Sequence, residues 1–175
     1  MKASSYIEYP DAVKLIDTAL EAWRLEVPWN CFITVHLQSV GIKPEDCSKY
    51  FRDGLQRLRR YHERHNMPFT CGWVLESHGY KGVHAHLLLH RPKDLPMGPH
   101  KYRWDVLKRF KLPNQKGVLK VKKFYSFQSY ETNLKEALRY CLKGLRPDAL
   151  EYMDLPISLT KQGKVMGKRI GQLHP

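Results

Sequence analysis

Apolar residues recur along this chain with two periods, and the switches between them mark out its elements. Across residues 11–26, Val13, Ile16, Ala19, Leu20 and Trp23 repeat at three- and four-residue steps, which predicts a helix with one apolar face, closed by Pro28. The run Cys31-Phe-Ile-Thr-Val-His-Leu37 alternates and is rich in strand formers, so it reads as a strand. Pro44-Glu-Asp opens a long helix reaching His65, with Phe51, Leu55, Leu58 and Tyr61 at helical spacing. Two strand-like runs, residues 69–76 and 83–90, flank Ser77-His-Gly-Tyr-Lys-Gly82 and predict a hairpin turning about Tyr80. A short helix over 101–111, a strand over 118–124 and a helix over 130–143 ended by Gly144 follow. The remainder, with Pro147, Pro156, Gly163, Gly167 and Gly171, reads as loop. The order β-α-β-β-α-β-α after a leading helix predicts an α+β fold: an antiparallel sheet with helices packed on one face.

Length and composition narrow the class. The chain's 175 residues suffice for one core and are short for two. No apolar run approaches a membrane span, and Met1-Lys-Ala-Ser-Ser-Tyr6 lacks a signal-peptide core, so a cytoplasmic protein is expected. Lys and Arg outnumber Asp and Glu by 30 to 17, a net charge of +13, which points to a polyanionic partner and above all to nucleic acid. Cys31, Cys47, Cys71 and Cys141 form no CxxC pair and fit neither a zinc knuckle nor a disulfide framework. They read as small apolar residues in a reducing compartment.

Candidate chemistry begins with His84-Ala85-His86. Residues two apart on a strand share a face, so both imidazoles project together while Val83, Ala85, Leu87 and Leu89 turn to the core. A hairpin centred on Tyr80 sets Glu76 opposite His84 on that face, within about 5.5 Å, where two side chains can share an ion. His78 has the same parity and competes as a third ligand, nearer the turn. Tyr140-Cys-Leu-Lys143 lies on the last helix, and Glu136 and Asn133 fall on the same helical face. Taken singly, each signal has a plain structural explanation: half-exposed strands carry histidines, and amphipathic helices carry tyrosines.

Their order carries more. Phe32-Ile-Thr-Val-His36, Val83-His-Ala-His-Leu87 and Arg139-Tyr-Cys-Leu-Lys-Gly144 resemble the three motifs of the HUH endonucleases, in the branch of rolling-circle replication initiators, over roughly residues 30–145. Ala85 stands where that family has a bulky apolar residue, and His36 where its first motif often has a hydroxyl. The resemblance implies a ferredoxin-like or RRM-like sheet whose open face brings metal and tyrosine together. It implies Tyr140 as nucleophile on single-stranded DNA, a 5′-phosphotyrosine intermediate, and Lys143 in support. It also implies Glu76, His84 and His86 as ligands of Mg²⁺ or Mn²⁺, although two His and one Glu would equally suit zinc. An origin sequence, which can include a hairpin, and host replication proteins are the partners it suggests.

Arg57, Arg60 and Arg64, with Arg59, cluster on the long helix, and Lys120, Lys122 and Lys123 lie on or beside the late strand. Both sets are candidate phosphate contacts. Residues 1–155 read as the endonuclease domain and 156–175 as a basic tail with Lys161, Lys164, Lys168 and Arg169. Gly163-Lys-Val-Met-Gly167-Lys168-Arg169 is one residue short of a phosphate-binding loop and lacks its hydroxyl, which excludes helicase activity. Three rivals remain. Single-strand transposases usually end the tyrosine motif in glutamine, and relaxases place the tyrosine near the N-terminus, as Tyr6 or Tyr9 would. A non-catalytic RRM-like module binding single strands by stacking explains the charge but not the Glu–His–His–Tyr pattern.

Overall fold

A computed structural model describes residues 3–79, 82–92 and 99–174 of the chain; Tyr80, the expected centre of the hairpin turn, lies outside the described residues. The elements run β1 (Ala3–Ser4), α1 (Tyr9–Arg24), β2 (Cys31–His36), α2 (Cys47–Arg64), β3 (Cys71–His78), β4 (Gly82–Leu89), α3 (Pro99–Phe110), β5 (Leu119–Lys123), α4 (Tyr130–Cys141), β6 (Val165–Met166) and β7 (Ile170–Leu173). The main sheet has the order β5-β2-β4-β3-β7, antiparallel throughout, and β1 pairs with β6 in a small second sheet. The fold is α+β, as the order of elements predicts. No helix among the described residues is long and apolar enough to cross a membrane.

The pleat of the sheet sorts its residues between two clusters. Ile33 and Val35 of β2, Trp73 and Leu75 of β3, and Ala85, Leu87 and Leu89 of β4 face α2 and α3, where Phe51, Leu55, Leu58, Val106 and Phe110 complete the larger core. Gly54 lets α2 approach α3 closely, because a Cβ there would run into the Phe110 ring. This is the helical layer that the sequence predicts on one face. The opposite face is part covered: Val74 and Leu88 meet Ala12, Leu15, Ala19 and Ala22 of α1, and Leu134, Leu138 and Cys141 of α4.

Helix α1 turns a different stripe inward from the one its bulky residues suggest. Its alanines press on the sheet at Gly72, where a Cβ would meet Leu15 and Trp29. Leu20 and Trp23 stay exposed and, with Val13 and Ile16, line a groove against α4. Small residues win the sheet side because backbones can approach more closely there. The C-terminal stretch also differs from the expected loop. It carries β6 and β7, and β7 forms the edge of the main sheet beside β3. Arg169, expected to be a solvent-facing cation, is buried, with Nη1 donating to the Ser4 carbonyl at 2.9 Å.

All four cysteines are free and buried, as expected of apolar residues, and burial pushes the Cys31 and Cys47 thiols up to about 12.

His62 of α2 is fully buried, with Nδ1 3.3 Å from the Pro68 carbonyl oxygen and Nε2 3.3 Å from the Tyr102 hydroxyl. Burial, only partly offset by the Pro68 carbonyl, lowers its pKa to about 4. The unfolded chain, near 6.5, therefore takes up this proton first as pH falls. The contribution of His62 to stability is complete above about pH 6.5 and is lost as pH falls through 4, on the order of 3 kcal/mol in all. Urea midpoints should fall more steeply over that window for the wild type than for His62→Gln; parallel curves would remove His62 as the cause.

Candidate active site

The site is built on the middle of the sheet. Glu76 pairs with His84 across β3 and β4, and Thr34 and His36 of β2 pair with His86 and His84. The hairpin register expected from the sequence is the observed one. All three proposed ligands are buried, at 1% exposure for Glu76 and His86 and 5% for His84. Their ligand atoms lie within 4.8 Å of one another. His78, the competing ligand, sits at the exposed end of β3 and is not in this cluster.

One carboxylate oxygen is the meeting point. Glu76 Oε2 lies 2.9 Å from His84 Nε2, 3.0 Å from His86 Nε2 and 3.0 Å from Lys143 Nζ. Burial opposes the charge on Glu76. Hydrogen bonds from His84 and His86, with the positive charge of His86 and Lys143, outweigh it and hold the carboxyl well below the usual carboxylate range. For His86 the balance goes the other way: burial lowers its pKa despite the Glu76 carboxylate.

The far sides of the rings decide what the near sides can offer. His84 Nδ1 is 3.2 Å from the Gly82 carbonyl oxygen, which can only accept, so Nδ1 carries the proton. His86 Nδ1 is 3.2 Å from Thr34 Oγ1, which can hold it in the same tautomer. Neutral rings fixed this way aim bare Nε2 lone pairs at a carboxylate, an arrangement that a shared cation relieves. Glu76 Oε1 is also buried without a partner. The donor set therefore fits a divalent ion with two nitrogens and one carboxylate.

The hydroxyl-bearing partner comes from α4. Tyr140 is 48% exposed, and its ring stands edge-on to His86 at 4.9 Å and to Phe32 at 5.8 Å. Lys143 Nζ lies 3.6 Å from the Tyr140 ring centroid, so this ammonium bridges the tyrosine and the carboxylate. Its helical turn is held from the C-terminal stretch, where Thr160 donates its backbone N–H to the Lys143 carbonyl at 2.9 Å. His36 stacks on His84 at 5.4 Å. A cleft of about 440 Å³ opens over Tyr140, His84 and His86, with Lys120, Lys122 and Lys123 on its other wall.

The fold brings together Glu76, His84, His86, Tyr140, Lys143 and the three lysines. It does not bring Arg57, Arg60 and Arg64 to them, since α2 packs on the opposite face of the sheet. Arg57 Nε there donates to the Arg109 carbonyl, and Arg64 Nε to the Arg60 carbonyl at 3.2 Å. Helical spacing puts Asn133 on the Tyr140 face of its helix without giving it work. In the structure its buried amide holds the backbone that precedes α4. A buried asparagine in a first helical turn is the signal that would have found it. Phe32 has no role in the sequence reading either, although it stacks on His86 at 5.4 Å.

No curated protein and no solved structure matches the chain. Over residues 30–146, which contain β2 to α4 and every proposed ligand and catalytic residue, it matches the family model of the replication-associated protein ORF2, and the chain belongs to that family.

Proposed function

We propose that the chain is a metal-dependent nicking and joining enzyme for single-stranded DNA, opening a replication origin through Tyr140 to begin rolling-circle replication. The observation that carries this reading is the approach of an exposed tyrosine to a buried Glu–His–His cluster inside a lysine-walled cleft. In this mechanism the Tyr140 oxygen bonds to the scissile phosphorus, and the bond from phosphorus to the 3′ oxygen breaks. The phenol gives up its proton at the open mouth of the cleft, and the departing 3′ oxygen takes one up. The product is a 5′-phosphotyrosine and a free 3′-OH; attack by a 3′-OH on the phosphotyrosine restores the strand. Glu76, His84 and His86 would hold Mn²⁺ or Mg²⁺, which supplies charge neutralisation and orientation of the phosphate oxygens. Imidazole ligands favour Mn²⁺ of the two. Lys143 supplies positive charge beside the attacking oxygen. Lys120, Lys122 and Lys123 supply phosphate contacts along the cleft. Arg57, Arg60 and Arg64 can contribute only to a strand that passes round to the other face.

Tyr140→Phe removes one oxygen and keeps the ring. Incubation with single-stranded oligonucleotides and Mn²⁺ should give a protein–DNA adduct on a denaturing gel for the wild type and none for this variant. The DNA-bearing peptide should contain Tyr140; an adduct on another residue, or cleavage with no adduct, defeats the assignment. Lys143→Ala should slow adduct formation by on the order of 100-fold without abolishing it.

His84→Ala and His86→Ala should each abolish Mn²⁺-dependent cleavage and weaken Mn²⁺ binding, seen by calorimetry, while circular dichroism stays unchanged. Cleavage by His84→Ala in excess EDTA at the wild-type rate rules the metal site out. Affinity for single strands should fall with salt at a log–log slope of about −0.7 per phosphate neutralised. A flat dependence makes the lysine wall mere solvated surface.

A further inference from the structure

Between β5 and α4 the chain makes a tight turn over residues 125–128, in which the Gln128 N–H donates to the Tyr125 carbonyl. Two aromatic rings stand on it in water, Phe127 at 79% exposure and Tyr125 at 50%. The rings stack on each other at 5.0 Å with 29° between planes. A hydrated turn gains nothing for folding by presenting two aromatics to solvent, and nothing in the core depends on them.

The turn is nevertheless held firmly. Asn133, buried at 5% exposure, accepts from the Tyr125 N–H at 2.9 Å and donates to the carbonyls of Tyr125 and Ser129, each at 3.0 Å. Ser129 caps α4, accepting from the Thr132 N–H at 3.1 Å. Backbone ordering is therefore complete before any ligand arrives, which removes a large part of the cost of binding. Strand β5 leads directly into the turn. It is a sheet edge, paired only with β2, and its exposed Lys120, Lys122 and Lys123 line the same cleft as Tyr125 and Tyr140. A row of cations ending at exposed aromatic faces matches a polyanion whose substituents are flat rings.

We infer that turn 125–128 is a base-stacking subsite, where Phe127, backed by Tyr125, takes an unpaired base of the strand whose phosphates lie along Lys120, Lys122 and Lys123. The inference rests on the single-strand reading above and adds to it the element that grips a base beside the scissile phosphate. A π-face accepts any base, so the subsite contributes affinity and register more than sequence choice. Asn133 acts as a positioning residue: it touches no DNA and fixes the turn.

Binding of the full chain to a mixed-sequence single strand tests this, with an abasic strand of equal length as reference. Phe127→Ala should weaken binding to the base-bearing strand by about 5- to 150-fold, the range for loss of one stacked base. It should leave the salt slope and abasic binding unchanged, and Phe127→Trp should restore affinity. Lys122→Ala should instead reduce the slope by about 0.7 on both strands. Asn133→Ala should weaken base-dependent binding in the same sense as Phe127→Ala. Strands carrying 5-iododeoxyuridine should photo-cross-link to Tyr125 or Phe127. Equal affinity of wild type and Phe127→Ala, or an equal loss on the abasic strand, overturns the inference and leaves the turn as a contact for a protein partner. The two readings fail separately. Base-dependent binding through Phe127 without any Tyr140 adduct keeps the subsite and sinks the nuclease, whereas an adduct with unaltered binding in Phe127→Ala does the reverse.

Discussion

The Glu76 carboxylate is the group whose burial the rest of the molecule has to accommodate. An ionised carboxylate removed from water costs several kcal/mol unless charge and hydrogen bonds replace its hydration. Here the replacement comes from three side chains, two imidazoles on β4 and the ammonium of Lys143 beyond the end of α4, all directed at one oxygen. Each element constrains a different level of structure. The imidazoles fix the β3–β4 register, because a slip of one residue would send them into the core. The ammonium fixes where α4 ends against the sheet, and with it the placement of Tyr140. Removing one partner leaves a buried charge under-compensated, so hairpin, helix and carboxylate depend on one another.

Strand β4 shows how little room this leaves. Val83, Ala85, Leu87 and Leu89 pack under α2 and α3 while His84 and His86 form the site, so a single strand serves both layers. The small Ala85, between two histidines and fully buried, faces the core rather than the metal cluster. Its size is therefore a matter for packing against the helices, and the ligand geometry does not depend on it. The opposite face is divided as well: α1 and α4 cover the part near Val74 and Leu88, and the strip from His84 across to β5 is left open as the cleft.

The parts of the fold that are legible in the sequence are those set by local periods. Alternation over 83–90 and a turn of fixed length are enough to pair Glu76 with His84, because strand register follows from counting. The contact of Lys143 with Glu76 cannot be counted out, since it depends on how α4 docks. The inward face of α1 is misread because hydrophobicity alone ranks Leu20 and Trp23 above Ala12 and Ala22. Closeness of approach at Gly72 reverses that order. Strand β7 is hidden for another reason. Only Ile170 and Leu173 mark it, and it is held by backbone pairing to β3, with Gly171 lying against Trp73. Asn133 and Phe32 escape notice because amide clamps and stacking have no periodic signature.

The four buried cysteines bear on chemistry in which they take no part. Reactivity belongs to the thiolate, and burial keeps these sulfurs protonated and out of reach. The folded chain thus presents no thiolate to compete with a phenol for an electrophilic phosphorus, and no thiol for mild oxidants or alkylating reagents to consume. Once the core opens, four thiols become available together, two of them on the strands that flank β4: Cys31 on β2 and Cys71 on β3. The rate at which a thiol reagent is taken up then becomes a clock for the breathing of the sheet, carried by residues that are silent while it is closed.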